Sequence, residues 1–298
     1  MTTPQLFHVD AFTTRPFRGN PAGVVLHADT LTEARMQDIA RELKHSETAF
    51  VLNPVGSDHD VRIRYFTPTT EVPICGHATI AAHYARAKWL DLDDCVIRQK
   101  TGAGIQAITI RRERDDYRIT MRQGPISFGE PIVDALRERI ASALELTIDD
   151  LVASLPVQVV STGHSKVMVP LRDGVDLDGL APDNEMLTEL SRLIGCNGYF
   201  PYLIRSGEEA TDGRMFAPAI GIAEDPVTGN ANGPLGAYLV KYGLMRHDGH
   251  RLSFAGHQGR AIRRDGIVHV TVDIDAGQPK QVSIQGDAVL LFTAALSI

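Results

Sequence analysis

Three ionisable residues stand where this chain could do proton chemistry: Glu47 in HSETAF, His77 in EVPICGHA and Asp225 in EDPVTGNA. Glu47 interrupts the approach to an apolar run, TAFVL, and a carboxyl group withdrawn from water there would serve as a general acid or base. Its other reading is a solvated turn residue. His77 opens a run of small residues, either to donate to a substrate oxygen or to cap a helix against solvent. Asp225 is the third candidate, with turn stabilisation before Pro226 as its alternative. Around them, Gly76 and Gly229 would let the backbone turn tightly and approach a ligand closely. Asn20 and Asn230 are either ligand donors or turn and cap residues.

The two segments that carry His77 and Asp225 share one plan. In EVPICGHA (Glu71 to Ala78) and EDPVTGNA (Glu224 to Ala231), a Glu and a Pro lead through a β-branched residue and a Cys or Thr to a Gly. A small apolar run, predicted to be helical, follows each. The first turn of such a helix carries free N–H groups and the positive end of its dipole, so each copy is a candidate anion cradle. Asp225 departs from the plan, since its counterpart is Val72. Upstream the echo continues: RYFTP (Arg64 to Pro68) matches RMFAP (Arg214 to Pro218), and HSETAF matches GCNGYF, which pairs Glu47 with Asn197. NPAGVVL, from Asn20, matches HSKVMVPL, from His164. A repeat this long implies two duplicated lobes, because solenoid periods are only about 20–50 residues. Two facing helix N-termini would leave a cleft for a small carboxylate without any metal.

The elements that must position these residues are readable in outline. Thr30 and Glu33 suggest a capping box for a helix with Met36, Ile39, Ala40 and Leu43 on its apolar face, ending near Lys44. HATIAAHYARAKW is apolar or small nearly all round, as expected of a helix enclosed by sheet, and His83 within it reads as structural. The segment Pro125 to Pro131 reads as a crossing into the second lobe. There, PIVDALRERIASALEL is predicted helical, a second capping box stands at Thr147 and Asp150, and DNEMLTELSRLIG is a helix closed by Gly195. Pro234 is expected in the first turn of the second central helix. The last strand-like run, AVLLFTAAL, is a candidate to cross back to the first lobe.

Composition bounds the function. The chain has 298 residues, 43% hydrophobic and 22% charged, which suits a globular protein with two cores. A net charge of −7 with interleaved signs leaves no basic stripe, so nucleic acid is not an expected partner. No apolar run reaches the ~20 residues of a membrane span, and MTTPQLFHVD lacks the features of a signal peptide, so a cytoplasmic location is expected. The three cysteines, Cys75, Cys95 and Cys196, are far apart and read as reduced. With no HExxH, P-loop or GxGxxG after a strand, neither a metal nor a cofactor is implied.

Taken together, HVDAFT with FRGNPAGVV, HSETAF, RYFTPTTEVPICGHAT and EDPVTGNANGP closely resemble the PhzF-like phenazine-biosynthesis family, in particular its YddE-type bacterial members. The resemblance covers essentially the whole chain. It implies an α+β fold like that of diaminopimelate epimerase: two pseudo-symmetric lobes, each a curved, mostly antiparallel sheet around a central helix, with the active site between them. The lobes would be residues 1–125, completed by a strand near 288–298, and residues 126–287. It further implies an isomerase with Glu47 as proton shuttle, His77 and Asp225 as orienting or relaying groups, and a homodimer, which the sequence itself does not show. Asn230 stands where the family's characterised isomerase has a Ser. The epimerase relatives use a thiol from each lobe, whereas the corresponding positions here hold Cys75 and Thr228. A hydroxyl is too weak an acid and base to replace a thiolate, so one-base chemistry is favoured. The expectation is a cofactor-independent isomerase moving a proton within a small carboxylate-bearing metabolite. The alternatives are an amino-acid epimerase or racemase, and a small-anion-binding protein without catalysis.

Overall fold

Two helices with no polar stripe can be stable only if something covers them on every side, and the chain solves this twice with a sheet. The computed structural model describes residues 3–297; Met1, Thr2 and Ile298, at the ends of the expected first lobe, lie outside the described residues. The described residues divide into two units. One runs to Arg122 and resumes at Gln285, and the other is Gln123–Ile284.

In the first unit, β1 (Gln5–Ala11) pairs antiparallel with β2 (Asn20–Leu26), which places Ala11 opposite Asn20. The return depends on Gly19: its φ is +65°, and an added Cβ would lie 2.1 Å from the Ala11 carbonyl oxygen. The helix α1 (Glu33–Leu43) carries the chain to β3 (Thr48–Leu52), parallel to β2. Next, β4 (Val61–Phe66) runs antiparallel to β3, and the short β5 (Glu71–Val72) folds back on its end. The central helix α2 (Gly76–Leu90) leads to β6 (Cys95–Thr101), parallel to β4, and β7 (Gly104–Glu113) and β8 (Asp116–Arg122) complete an antiparallel meander. The C-terminal strand, Ala288–Ala295, pairs antiparallel with β1. Residues Gly76 to Ala85 of α2 are all buried, and the helix touches β1, β2, β3, β8 and the C-terminal strand. Alanines keep it thin enough for the sheet to wrap around it.

The second unit repeats that order. After β9 (Ser127–Pro131) and α3 (Asp134–Ala143), β10 (Gln158–Ser161) and β11 (Ser165–Pro170) form an antiparallel pair. The helix α4 (Asn184–Ile194) crosses to β12 (Tyr199–Ile204), parallel to β11, and β13 (Ala210–Gly213) and β14 (Met215–Ala217) lie antiparallel to β12. The short β15 (Ile222–Asp225) precedes the central helix α5 (Gly229–Lys241), which is covered by β10, β11, β16 (Arg251–Gln258) and β17 (Gly266–Asp275). Strand β16 is parallel to β13, as β6 is to β4; β18 (Gln278–Gly286) follows. Both units are therefore α+β folds of one plan. Among the described residues, no helix is long and apolar enough to cross a membrane.

The repeated R-x-F motif acquires a physical meaning here. Arg64 and Phe66 share one face of β4, with the guanidinium 5.1 Å from the ring centroid, and Arg214 lies 4.8 Å from the ring of Phe216. Each Arg also clamps the Glu that opens the following cradle: Arg64 holds Glu71, and Arg214 holds Glu224. The motif fixes the chain just before it enters each central helix.

Three local expectations are corrected. The cap of α1 is Thr32, whose hydroxyl accepts the Arg35 N–H at 3.2 Å, while Thr30 belongs to a short 3-10 turn, Ala28–Thr30. The capping pattern was offset because that turn consumes Thr30. The helix expected over PIVDALRERIASALEL is confined to Asp134–Ala143, because Pro131 ends β9 and Glu145 takes a left-handed conformation. Pro234 lies inside α5 beyond its first turn, because the helix starts at Gly229; its ring nitrogen cannot donate to the Asn230 carbonyl. The box at Thr147 and Asp150 forms, with the Thr147 N–H and hydroxyl both donating to Asp150.

Candidate active site

Helix α1 ends in left-handed Lys44, so the next residues, His45, Ser46 and Glu47, turn sharply before Thr48 enters β3. Beside them the chain enters α2 through Cys75, the N-cap, whose side chain makes no capping bond. His77, the second helical residue, lies between the two segments. Its Nδ1 is 3.4 Å from the Cys75 sulfur, and its Nε2 faces the Ser46 hydroxyl at 3.3 Å and a Glu47 carboxylate oxygen at 3.5 Å. The side chains of His77 and Glu47 are only 7% and 15% exposed, and Cys75 is buried. A thiol, an imidazole and a carboxyl group thus form a chain along which a proton can pass, largely withdrawn from water.

The support beneath this chain is polar and fully buried. The Tyr65 hydroxyl donates to Thr79 Oγ1 at 2.6 Å, and Thr79 donates to the Cys75 carbonyl at 2.6 Å. Burial pushes the Tyr65 phenol well above its usual range, so it stays a neutral donor. Further along α2, His83 Nε2 donates to Gln99, and burial pulls this imidazole down to about 4, which makes it a neutral structural residue. The α2 N–H groups of Gly76, His77 and Ala78 have no carbonyl to bond within their own helix, which leaves them available to an anion.

Asn20 opens β2 and is 1% exposed. Gly76 and Gly229 are the first residues of α2 and α5, and neither has a positive φ. No left-handed backbone demands glycine at either position; the chain bends just before each, at Pro73 and at Pro226 and Val227, and each glycine provides a bare helix start. In the second unit Asp225 is buried and accepts a short hydrogen bond from the Thr228 hydroxyl. Thr228 is the N-cap of α5; its side chain makes no capping bond, while its carbonyl accepts the Ala231 and Asn232 N–H groups. The Asn230 side-chain oxygen accepts from Gln123 Nε2 at 3.1 Å.

Several neighbours were missed in the sequence. Cys75 stands out in the sequence only as half of a two-thiol pair, yet the spacing C-G-H on a helix start brings its sulfur to the imidazole. Ser46 was overlooked beside Glu47. Gln123 bonds Gly229, Asn230 and Thr162, and Gln258 bonds Asp225, Thr228 and Asn232. Nothing local marks either glutamine, because each reaches its partners across a large separation in sequence. Glu47, Cys75 and His77 also offer donor atoms within 4.8 Å of one another, close enough to be considered for a metal ion. The two ring nitrogens, however, face different partners, whereas one imidazole gives an ion only one nitrogen. The arrangement suits a hydrogen-bonded relay better.

Comparisons with known proteins agree on one family. The PhzC-PhzF family model, described as phenazine biosynthesis-like protein, matches residues 9–294. The uncharacterized isomerase YddE of Escherichia coli strain K12 is 59% identical over 295 residues, covering 99% of each chain. The trans-2,3-dihydro-3-hydroxyanthranilate isomerase of Pseudomonas chlororaphis is 32% identical over 282 residues, 94% of this chain and 95% of that one. Among solved structures, the PhzF-family phenazine biosynthesis protein of Bacillus anthracis matches with a TM-score of 0.88 and 36% identity over 100% of both chains. A hydroxyproline epimerase from Agrobacterium vitis, with a TM-score of 0.66 at 13% identity, covering 99% of this chain and 91% of that one, shares the fold.

Proposed function

The chain belongs to the phenazine biosynthesis-like PhzC-PhzF family and is an isomerase, and on that premise we propose that it moves a proton within a small carboxylate-bearing metabolite with Glu47 as the shuttle. Ionised Glu47 takes a proton from a carbon made acidic by the substrate's own unsaturation. The electron pair left behind shifts through the conjugated system, and the now neutral carboxyl group returns the same proton to another carbon on the same face. Nothing is oxidised and no group is lost, so the step needs no cofactor. The substrate carboxylate is held by the free N–H groups at the start of α2, and His77 donates to a substrate oxygen or to Glu47. Asn20, Gly76, Gly229 and Asn230 are assigned to substrate binding, and Asp225, held by Thr228, to orienting a substrate.

One observation carries this reading. Glu47 is the only carboxyl group of the relay, it is largely withdrawn from water, and it lies 3.5 Å from His77. The name of the P. chlororaphis relative suggests the substrate class, an unsaturated ring acid. The test is incubation in D2O with trans-2,3-dihydro-3-hydroxyanthranilate and with a panel of cyclic amino acids, read by mass spectrometry. Wild-type protein is expected to convert or label an unsaturated acid, and Glu47→Gln to lose this by about 10²-fold or more. Turnover that survives Glu47→Gln refutes the shuttle. Labelling of a saturated amino acid at its stereocentre would establish an epimerase instead.

A further inference from the structure

At the far end of α2 from Cys75, a cavity of about 230 Å³ opens within the first unit. Its apolar wall is formed by Leu26, Val51, Leu52, Val61, Trp89 and Leu90. The helix rise of 1.5 Å per residue puts Trp89 about 18 Å along the axis from His77, so this cavity is distinct from the relay.

The lining also contains a guanidinium. Arg86 precedes Trp89 and Leu90 by three and four residues, on the same face of α2. Its Nη1 is buried and has no hydrogen-bond partner among the described residues. Neither carboxylate of the lining hydrogen-bonds Arg86, although Asp60 is near enough for its charge to act on the guanidinium. Asp60 takes both the backbone N–H and the guanidinium of Arg98, and Asp29 takes the backbone N–H of Asn53. Burial draws the Arg86 pKa below the usual arginine value, yet guanidinium keeps its charge in proteins. A buried cationic donor without an acceptor is costly, and such groups call for a missing partner.

We propose that this cavity is a binding site for a small monocarboxylate with an apolar body. The carboxylate pairs with Arg86, the strongest match a guanidinium has. The body lies against Trp89 and the aliphatic wall, which repays burial. The volume falls below the usual range for drug-sized ligands and so limits the occupant to a molecule of about the size of a six-carbon acid.

The chain's single tryptophan reports on this site alone. Trp89 is also held edge-on to Phe7, with ring centroids 5.6 Å apart, so its emission responds to a change in its exposed face. Hexanoate is titrated against the intact protein while tryptophan fluorescence is followed, with hexanamide and hexylamine as isosteres. The expected result is a saturable change with hexanoate, about tenfold weaker binding of the amide, and weaker still of the amine. In Arg86→Met the preference for acid over amide disappears, and Arg86→Lys keeps part of it. The proposal is overturned if hexanoate gives no saturable change in wild type, if acid and amide bind equally there, or if the preference persists in Arg86→Met. The wild-type comparison decides even if Arg86→Met fails to fold.

Discussion

The two R-x-F clamps allow one motif to be measured in two environments within a single chain. In the second unit, Arg214 donates from Nε and Nη2 to Glu224 at 3.0 and 2.7 Å, and from Nη1 to the carbonyls of Leu177, Asp178 and Leu180 at 3.1, 3.2 and 2.7 Å. The two side chains are 8% and 11% exposed. In the first unit, Arg64 grips Glu71 just as closely, at 2.7 and 2.6 Å, and reaches Glu33 as well, but Arg64 and Glu71 are 28% and 39% exposed. Arg214→Met leaves a buried carboxylate unpaired and three carbonyls without a donor, and removing one partner of a buried pair costs about 3–5 kcal/mol. Arg64→Met leaves groups that water can solvate, and should cost about 1 kcal/mol or less. Urea unfolding of both variants, followed by far-UV circular dichroism, measures the difference. The double variant Arg214→Met/Glu224→Leu should recover much of the loss, since the unpaired charge is gone. Equal costs for the two single variants, or a double variant as unstable as the sum of its parts, would refute the argument that burial rather than hydrogen-bond geometry sets the contribution.

Two further outcomes are expected. His83 has its pKa pulled down to about 4 by burial, against about 6.5 in the unfolded chain, so the unfolded state binds the extra proton between these values. Its contribution is therefore complete above pH ~6.5 and is lost as pH falls toward ~4, by about 3 kcal/mol in all. His83→Gln, which keeps an amide near Gln99, should flatten stability over that window, and parallel pH profiles for the two proteins would contradict the assignment. At the start of α1, Thr32→Ala should cost about 1 kcal/mol through loss of the cap to Arg35, whereas Thr30→Ala should stay within about 0.5 kcal/mol. Thermal melts of the two variants distinguish them.

The duplicated plan was legible because it is written in local grammar. Glycines after a Pro and a Cys or Thr, small apolar runs without a polar stripe, and a terminal Gly195 each specify backbone behaviour over a few residues. Such signals announced α2, α4 and α5 and the strands that precede them. They misplaced the α1 cap and Pro234, where one extra turn or a helix start shifted by a few residues changes the role of a side chain. The cluster of Glu47, His77 and Cys75 was only half legible. Glu47 and His77 stood out as ionisable residues at element boundaries, but their mutual geometry depends on the parallel register of β2 and β3 and on where α2 begins. Gln123 and Gln258 left no signal.

The sequence alone determined that one order of strands and helices occurs twice and that His77 and Asp225 sit at the entrances to the two central helices, since both facts follow from short-range pattern and repetition. Tertiary structure alone decided which polar groups lose water. Arg64 and Arg214 occupy matching places in the pattern, yet only one is enclosed. Ser46 and Glu47 become neighbours of His77 only when the chain closes around α2. Arg86 carries no local signal, and the ends of β2, β3 and β4 gather beside it only in the fold. Desolvation is a property of everything packed around a group, most of it distant along the chain, so no local motif can specify it.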